Sequence, residues 1–528
     1  MQAPESTCHG VPESETHCWR NASILNADLT HPRLLSAVQH LAPALWRIGG
    51  SPADMTTYGG FGSTPCPRSC APLVTAACGE AVFASEDTCK HCLKQHPELL
   101  TSACAAQNSG FGDICKQQGD DTFYCMAPAR WSEVLNFAAK ADAKVVFGLN
   151  YASASVWVGN GSAARWNSKN AAELLQYTFD HKLPLHGVEL GNELNIKLRE
   201  PNTTRLAAAF VELRRVIDGI WGASATNKPV VIGPDVSWVH DQPGDAEGTK
   251  VPNQWLKGFL KAGKDAGLTP DAVTFHHYPA GKLALPSGGV IDGFIFDPQF
   301  YAQIVKNFTQ IAADVKSVTG QDSSKVWWGE GAFEFHSGKK GTTNAYEDVL
   351  FSAVQIGTLA QLGYGAWARS TLFGGFYELL DHTNGYAPNP SWWLGALLNK
   401  LVFGAAPSSP LQTYAVTSSV PTLQAFVFTA GAGAHRTNVA VLVNLGSADL
   451  DVQISLGKAS KRVEYVIQAS GDMPGVGDMH SQKMWLNGQV PAMAEDGTVP
   501  PSVWTGTTRA VGGAVSVPAR GVVLAIYT

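Results

Sequence analysis

Cysteine is missing from residues 126–528, although the chain holds ten in all. Charge is also scarce: 16% of residues are ionic and the net charge is −6, so nothing suggests a nucleic acid as partner. No run of about 18 apolar residues occurs, which leaves no candidate for a membrane-spanning helix. The opening MQAPESTCHG has neither a basic segment nor an apolar core and is read as lacking a signal peptide. No GxGxxG follows an apolar run, which counts against a dinucleotide fold. GxSxG, HExxH and an EF-hand loop are absent too, so serine-hydrolase and metalloprotease chemistry have no support and no cofactor or metal is expected.

The cysteines that are present crowd together. Eight of them, Cys66, Cys70, Cys78, Cys89, Cys92, Cys104, Cys115 and Cys125, follow one another closely. An even number at that density reads as a disulfide-stapled insertion in an oxidising compartment. Zinc is the rival, but Cys89 and Cys92 form a lone CxxC with no second pair of matching spacing. N-x-[ST] triplets at Asn21, Asn160, Asn202 and Asn307 point the same way, to a secreted or cell-wall protein, with a vacuolar or lysosomal one as the variant.

Short apolar runs alternate with amphipathic stretches. The runs are LWRIGG (45–50), KVVFGLN (144–150), GVELGNE (187–193), VVIGPD (230–235), AVTFHHY (272–278), KVWWGEG (325–331) and GAWARSTL (365–372). Between them, Leu206, Phe210, Leu213, Ile217 and Ile220 recur at helical spacing, and 298–318 shows the same period. This alternation predicts a parallel sheet covered by helices: a (β/α)8 TIM barrel, or a doubly wound open sheet. Seven strands are visible where a barrel needs eight, and the deficit falls before Arg47. The expected barrel domain is 21–402, interrupted by a cysteine-rich insertion at 62–127. From 403 to 528 the pattern turns β-branched with Gly, Pro and Ser between runs, which predicts an antiparallel β-sandwich domain.

Two strands end on a carboxylate. In such a barrel the active site lies at the carboxyl ends of the strands, and there Glu193 and Glu330 would share one mouth. Facing carboxylates are the equipment of glycoside hydrolysis, one held protonated and the other ionised. Asn192, beside Glu193, fits a donor to a sugar hydroxyl. The plain alternative is that each is a surface charge or half of an ion pair. Glu189 is expected to be structural, paired with Arg47 or Arg369, and Glu334 to be a solvated loop charge. His276 and His277 must point to opposite faces, one to the pocket and one to the core, so they do not share a metal. Trp327 or Trp328 could back a sugar, though packing against helices is the commoner use.

Taken together, KVVFGLN, RWNSKNAAELLQY, GVELGNELN, VTFHHY, VWWGEGAFEFHSG, FGGFYELLDHTNGYAPNPSWW and DMHSQKMWLNG resemble the heparanase-like β-glucuronidases of glycoside hydrolase family 79, the plant-type members above all. The likeness runs from about Asn21 to the C-terminus, apart from the cysteine-rich block. It implies a barrel with a β-sandwich and hydrolysis with retention, Glu193 matching the acid/base and Glu330 the nucleophile. Asn192 matches a sugar-binding Asn, Tyr278 and Tyr377 match pocket tyrosines, and Asn150 is a further candidate at a strand end. The loop whose backbone holds a uronate carboxylate, Ala-Tyr-Gly-Gly in relatives, reads Glu334-Phe335-His336-Ser337 here, making His336 and Ser337 candidates. The resemblance also implies a strand upstream of Cys8, and this chain reads as starting after it. The uncharged YASASVWVGNGS lacks the basic clusters of enzymes that cut sulfated polyanions. The expected partner is therefore a glucuronic-acid-containing carbohydrate or small glucuronide, attacked by a monomer without a membrane span, with peripheral membrane association left open. A neutral β-glycosidase, an endo-acting heparanase-type enzyme and an inactive polysaccharide-binding protein are the alternatives.

Overall fold

The computed structural model describes residues 22–64, 77–79, 86–96, 125–152, 156–159, 161–196, 200, 202–237, 252–280, 292–335, 337–403, 412–414, 416, 418–430, 437–454, 459–471 and 478–528. Its centre is a parallel sheet of seven strands: β1 (Ala44–Ile48), β2 (Ala143–Leu149), β3 (Leu185–Leu190), β4 (Val230–Ser237), β5 (Ala272–His276), β6 (Val326–Gly331) and β7 (Ala366–Arg369). They are the seven apolar runs of the sequence, and they pair in chain order, each parallel to the next. β7 comes back beside β1, so the ring is nearly closed. Among the described residues no hydrogen-bonded ladder joins β7 to β1, and the ring has seven strands rather than eight.

Helices cover the outside: α1 (Pro32–Leu41), α2 (Pro128–Lys140), α3 (Lys169–Asp180), α4 (Thr203–Trp221), α5 (Pro252–Asp265), α6 (Pro298–Thr319), α7 (Glu347–Leu362) and α8 (Pro390–Leu398). The helical period reports which face each one buries. In α4, Leu206, Phe210, Leu213 and Ile217 are fully covered. In α6, Tyr301, Ile304, Phe308, Ile311 and Val315 do the same. Local caps set the starts: Asn202 accepts from Arg205 N and Asp297 from Gln299 N. α7 is different, with twelve of its sixteen residues buried, because it has sheet on both sides.

The C-terminal part is an antiparallel sheet of β8 (Gln412–Tyr414), β9 (Leu423–Ala430), β10 (Thr437–Asn444), β11 (Leu450–Val452), β12 (Arg462–Ala469), β13 (Met484–Leu486), β14 (Thr507–Arg509), β15 (Val515–Val517) and β16 (Val522–Tyr527). The main order is β8-β9-β10-β16-β12-β13 with β14 on β12, while β11 and β15 form a separate pair. Alternation divides the strands between two cores. Val439, Val441 and Val443 join the barrel's core, whereas Ala440 and Leu442 face a second one with Val515, Val517 and Val523. Two layers with apolar residues between them meet the expectation of a sandwich.

In the cysteine-rich block Cys78 and Cys92 are bridged, which gives one half of the CxxC a partner other than zinc. Cys125 is bridged as well. The remaining cysteines of the block lie outside the described residues or have no described side chain.

Candidate active site

The chain leaves β3 through a sharp turn. Gly191 has φ of 82°, and a Cβ there would also stand 2.5 Å from the Leu194 side chain, so glycine is required. Two residues later Glu193 takes φ of 51°, a left-handed conformation that costs a residue with a Cβ. Its N–H donates to the Asp235 carbonyl at 3.0 Å, and that bond holds the turn. Asn192 N donates to Asp54 Oδ2 at 2.9 Å. The result lifts Glu193 off the strand and into the mouth.

Glu330, near the end of β6, meets it there. One carboxylate oxygen of each glutamate and a ring nitrogen of His276 lie within 4.8 Å of one another. The two glutamates keep 19% and 22% side-chain exposure, enough to meet a ligand, while His276 and Asp235 have none. Tyr278 donates to Glu330 Oε1 at 2.7 Å and lies 3.1 Å from Ser370 Oγ. Arg47, rising from β1, donates Nη1 to Glu330 Oε2 at 2.8 Å, Nε to Glu189 Oε2 at 2.8 Å, and Nη2 to Asn192 Oδ1 at 3.2 Å and Asp235 Oδ2 at 3.0 Å. With Asn192 Oδ1 occupied, its amide N–H groups are the end left for a ligand.

His276 Nδ1 is 3.0 Å from Glu193 Oε1 and 3.8 Å from Glu330 Oε2. Its Nε2 sits 3.3 Å from Asp235 Oδ1, an ion-pair contact too bent for a hydrogen bond. Burial opposes charge on this ring, but Glu330, with Asp235 and Glu193, overrides it and pushes the pKa up to about 10. His276 is therefore an imidazolium at neutral pH. Asp235 is held well below the usual carboxylate range: burial works against ionisation, and Arg47 and His276 outweigh it. Glu330 is lowered against the same burial by His276, Arg47 and the Tyr278 hydroxyl. Glu189 goes the other way, raised by burial with Asp235 adding to it. Glu193, His276 and Glu330 could in principle ligate an ion. A guanidinium and an imidazolium already sit against these carboxylates, so the donor set fits proton handling better than a metal.

The remaining candidates divide. Tyr377 is buried and its ring stacks on Tyr278, with centroids 6.4 Å apart. Ser337, with φ of 72°, accepts from Phe376 N next to it at 2.5 Å. Asn150 is buried at the end of β2, where its side-chain amide donates to the Thr56 carbonyl. His336 lies outside the described residues. Glu189 pairs with Arg47, and Arg369 goes to Asp348 instead. His276 faces the carboxylates, while His277 packs on the Phe308 and Trp328 rings. Trp328 is fully buried and stacks on Trp367, and Trp327 packs with Leu45 and Val230, so both serve as packing. Glu334 corrects an expectation: it is 4% exposed rather than solvated, and burial pushes its pKa up to about 7. Asp54, Asp235 and Ser370 were missed. Asp235 ends the run VVIGPD, so the rule that selected Glu193 would have found it; Asp54 lies in a short 3-10 turn and Ser370 just past β7, and neither is a strand-end carboxylate.

Residues 117–357 match the model of the N-terminal domain of glycosyl hydrolase family 79. Heparanase-like protein 3 of Arabidopsis thaliana is 26% identical over 514 residues, covering 92% of this chain and 81% of that protein. The baicalin-β-D-glucuronidase of Scutellaria baicalensis is 22% identical, with 91% and 80% covered. The inactive heparanase-2 of Mus musculus is 24% identical, with 89% and 78% covered. Among solved structures, a family 51 α-L-arabinofuranosidase from Bifidobacterium longum superposes with a TM-score of 0.53 at 11% identity, covering 94% of this chain and 89% of that one. That likeness concerns the fold alone. Over residues 117–357 the chain is thus similar to the N-terminal domain of glycosyl hydrolase family 79, and over most of its length to heparanase-like proteins.

Proposed function

We propose that the protein is a retaining glycosidase that removes β-linked glucuronic acid from glycoconjugates or small glucuronides. The observation that carries this is the closeness of the two strand-end carboxylates, within 4.8 Å at their nearest ligating atoms. Retaining enzymes hold their carboxyl groups about 5–5.5 Å apart, and inverting ones leave room for water at about 6.5 Å or more. Glu330, ionised and oriented by Tyr278 and Arg47, attacks the anomeric carbon. Glu193, one oxygen held by His276, protonates the departing oxygen with the other. Glu330 then carries the sugar as an ester, and Glu193 accepts the proton of the water that releases it. The disulfide at Cys78–Cys92 supports a secreted location.

A neutral sugar is the second reading. Glu334 favours it, because a buried carboxyl stands in the segment expected to receive the uronate. The test is intact mass after incubation with 2-deoxy-2-fluoro-β-glucuronyl fluoride, beside the glucosyl analogue. An adduct from the first alone, on Glu330, is expected; Glu330→Gln should take none and lose nearly all turnover. Labelling by the glucosyl reagent only would replace the substrate, and no label from either would leave a binding protein.

A further inference from the structure

One buried carboxylate reaches both candidate catalytic residues without being one itself. Asp235 stands at 0% exposure in β4 with φ of 52°. Thr274 Oγ1 accepts its N–H at 2.9 Å, which fixes the backbone in that conformation. Space for the carboxylate is made by Gly329, where a Cβ would lie 3.1 Å from Asp235 Oδ1. Three contacts then leave this residue. Its carbonyl accepts the Glu193 N–H at 3.0 Å. Its Oδ2 takes Arg47 Nη2 at 3.0 Å, and the other arm of that guanidinium holds Glu330 at 2.8 Å. Its Oδ1 lies 3.3 Å from His276 Nε2, and the opposite nitrogen of that ring is 3.0 Å from Glu193.

We propose that Asp235 is a positioning residue that aims both candidate catalytic glutamates, holding the His276 ring against Glu193 and Arg47 against Glu330. The proposal rests on the glycosidase reading given above. A buried ion pair kept for stability alone needs one partner, and such pairs are weak stabilisers. Asp235 has two cations, Arg47 bonded to Glu330 and His276 closest to Glu193, and adds a backbone bond to the acid/base itself.

The charged and titratable groups around the His276 ring are Arg47 from β1, Glu189 and Glu193 on and beyond β3, Asp235 in β4, Tyr278 after β5 and Glu330 in β6. Removing the charge of Asp235 takes away one of the anions that keep the ring protonated. The ring then loses its proton at lower pH, and above that pH Glu193 and Glu330 no longer face a cation there.

The experiment compares full-length wild type with Asp235→Asn, a swap that keeps the shape and tolerates a left-handed φ. Two substrates separate the two arms: an alkyl β-glucuronide, whose leaving group needs the Glu193 proton, and β-glucuronyl fluoride, which needs little acid assistance. Expected for D235N is a loss of about 100-fold on the alkyl substrate and about 10-fold on the fluoride, within the range of acid catalysis and of one lost contact. Equal losses on both substrates would mean a scaffold residue and overturn the proposal. Should D235N not fold, His276→Gln must lose the alkyl rate preferentially, and a wild-type profile in that variant overturns the proposal as well. Wild type that neither turns over nor is labelled by the glucuronyl or glucosyl reagent sinks the glycosidase reading and this proposal with it; labelled wild type beside an unaltered D235N sinks the proposal alone.

Discussion

At the scale of the residue, Glu334 shows how burial turns a loop charge into a pH-dependent liability. Its carboxyl is covered, one oxygen has no hydrogen-bond partner among the described residues, and Lys339 offsets only part of the cost of charge. The folded-state pKa of about 7 lies above the ordinary 4.5. A group raised on folding contributes stability that is complete below its unfolded pKa and is lost as pH rises through the folded one. Stability should therefore decline between about pH 4.5 and 7 on account of this residue. Glu334→Gln is expected to match wild type in thermal midpoint at pH 4 and to exceed it at pH 8. Equal midpoints at both values would show the carboxyl to be solvated after all. The same residue marks where sequence reading stops. Glu193 and Glu330 are legible because a carboxylate at the end of an apolar strand has no packing reason to be there. A carboxylate in a loop is ordinary, and only the fold decides whether that loop is covered. Asp235 also ends an apolar run and is legible by the same rule, although the Gly-Pro before it reads as a turn signal.

At the scale of the element, the barrel strands and the amphipathic helices α4 and α6 follow from their periods, since each buries one face or both. α7 gave no such signal. It lies between the barrel and the antiparallel sheet, so its sequence is apolar nearly all round. Its close contact with the sheet depends on Gly357, where a Cβ would stand 2.2 Å from the Phe426 ring. Ordinarily Gly→Ala within a helix stabilises by about 0.5–1 kcal/mol. At Gly357 the ring cannot give way cheaply, and Gly357→Ala should instead cost about 1–3 kcal/mol. Gly219 in α4 meets nothing within 4 Å and is exposed, so Gly219→Ala should show the ordinary gain. Urea midpoints of the two variants check this: opposite signs are expected, and a gain at both sites would mean that α7 and the sheet are not in close contact.

At the scale of the whole molecule, the seven-strand ring and the two-layered sheet were readable from alternation and composition, while the join between them was not. Nothing in a linear pattern says that α7 would be shared, or that Arg33 would donate to the Ala494 carbonyl and Ser36 to that of Gly497. Such contacts bring together residues more than four hundred positions apart, and each depends on a surface that exists only after both parts have formed.

Among the described residues no ladder closes the place between β7 and β1, and this has a mechanical consequence. A hoop that is hydrogen-bonded all round must break two ladders before a strand can leave; one with a seam needs to break only one at either side of it. Here the seam is bridged from outside, as Asn399 beyond α8 donates to the His40 and Ala42 carbonyls and Trp392 to that of Ala37. The clasp is made of side chains rather than backbone, and it should slip before the ladders do. Amide deuterium uptake should accordingly be fastest, among the barrel strands, in β1 and β7, and slowest in β3 and β4 on the far side of the ring. Arg47 rides on β1, so each excursion of that strand would loosen the grip on Glu330. Uniform protection around the ring would mean that the seam bears load as well as any ladder.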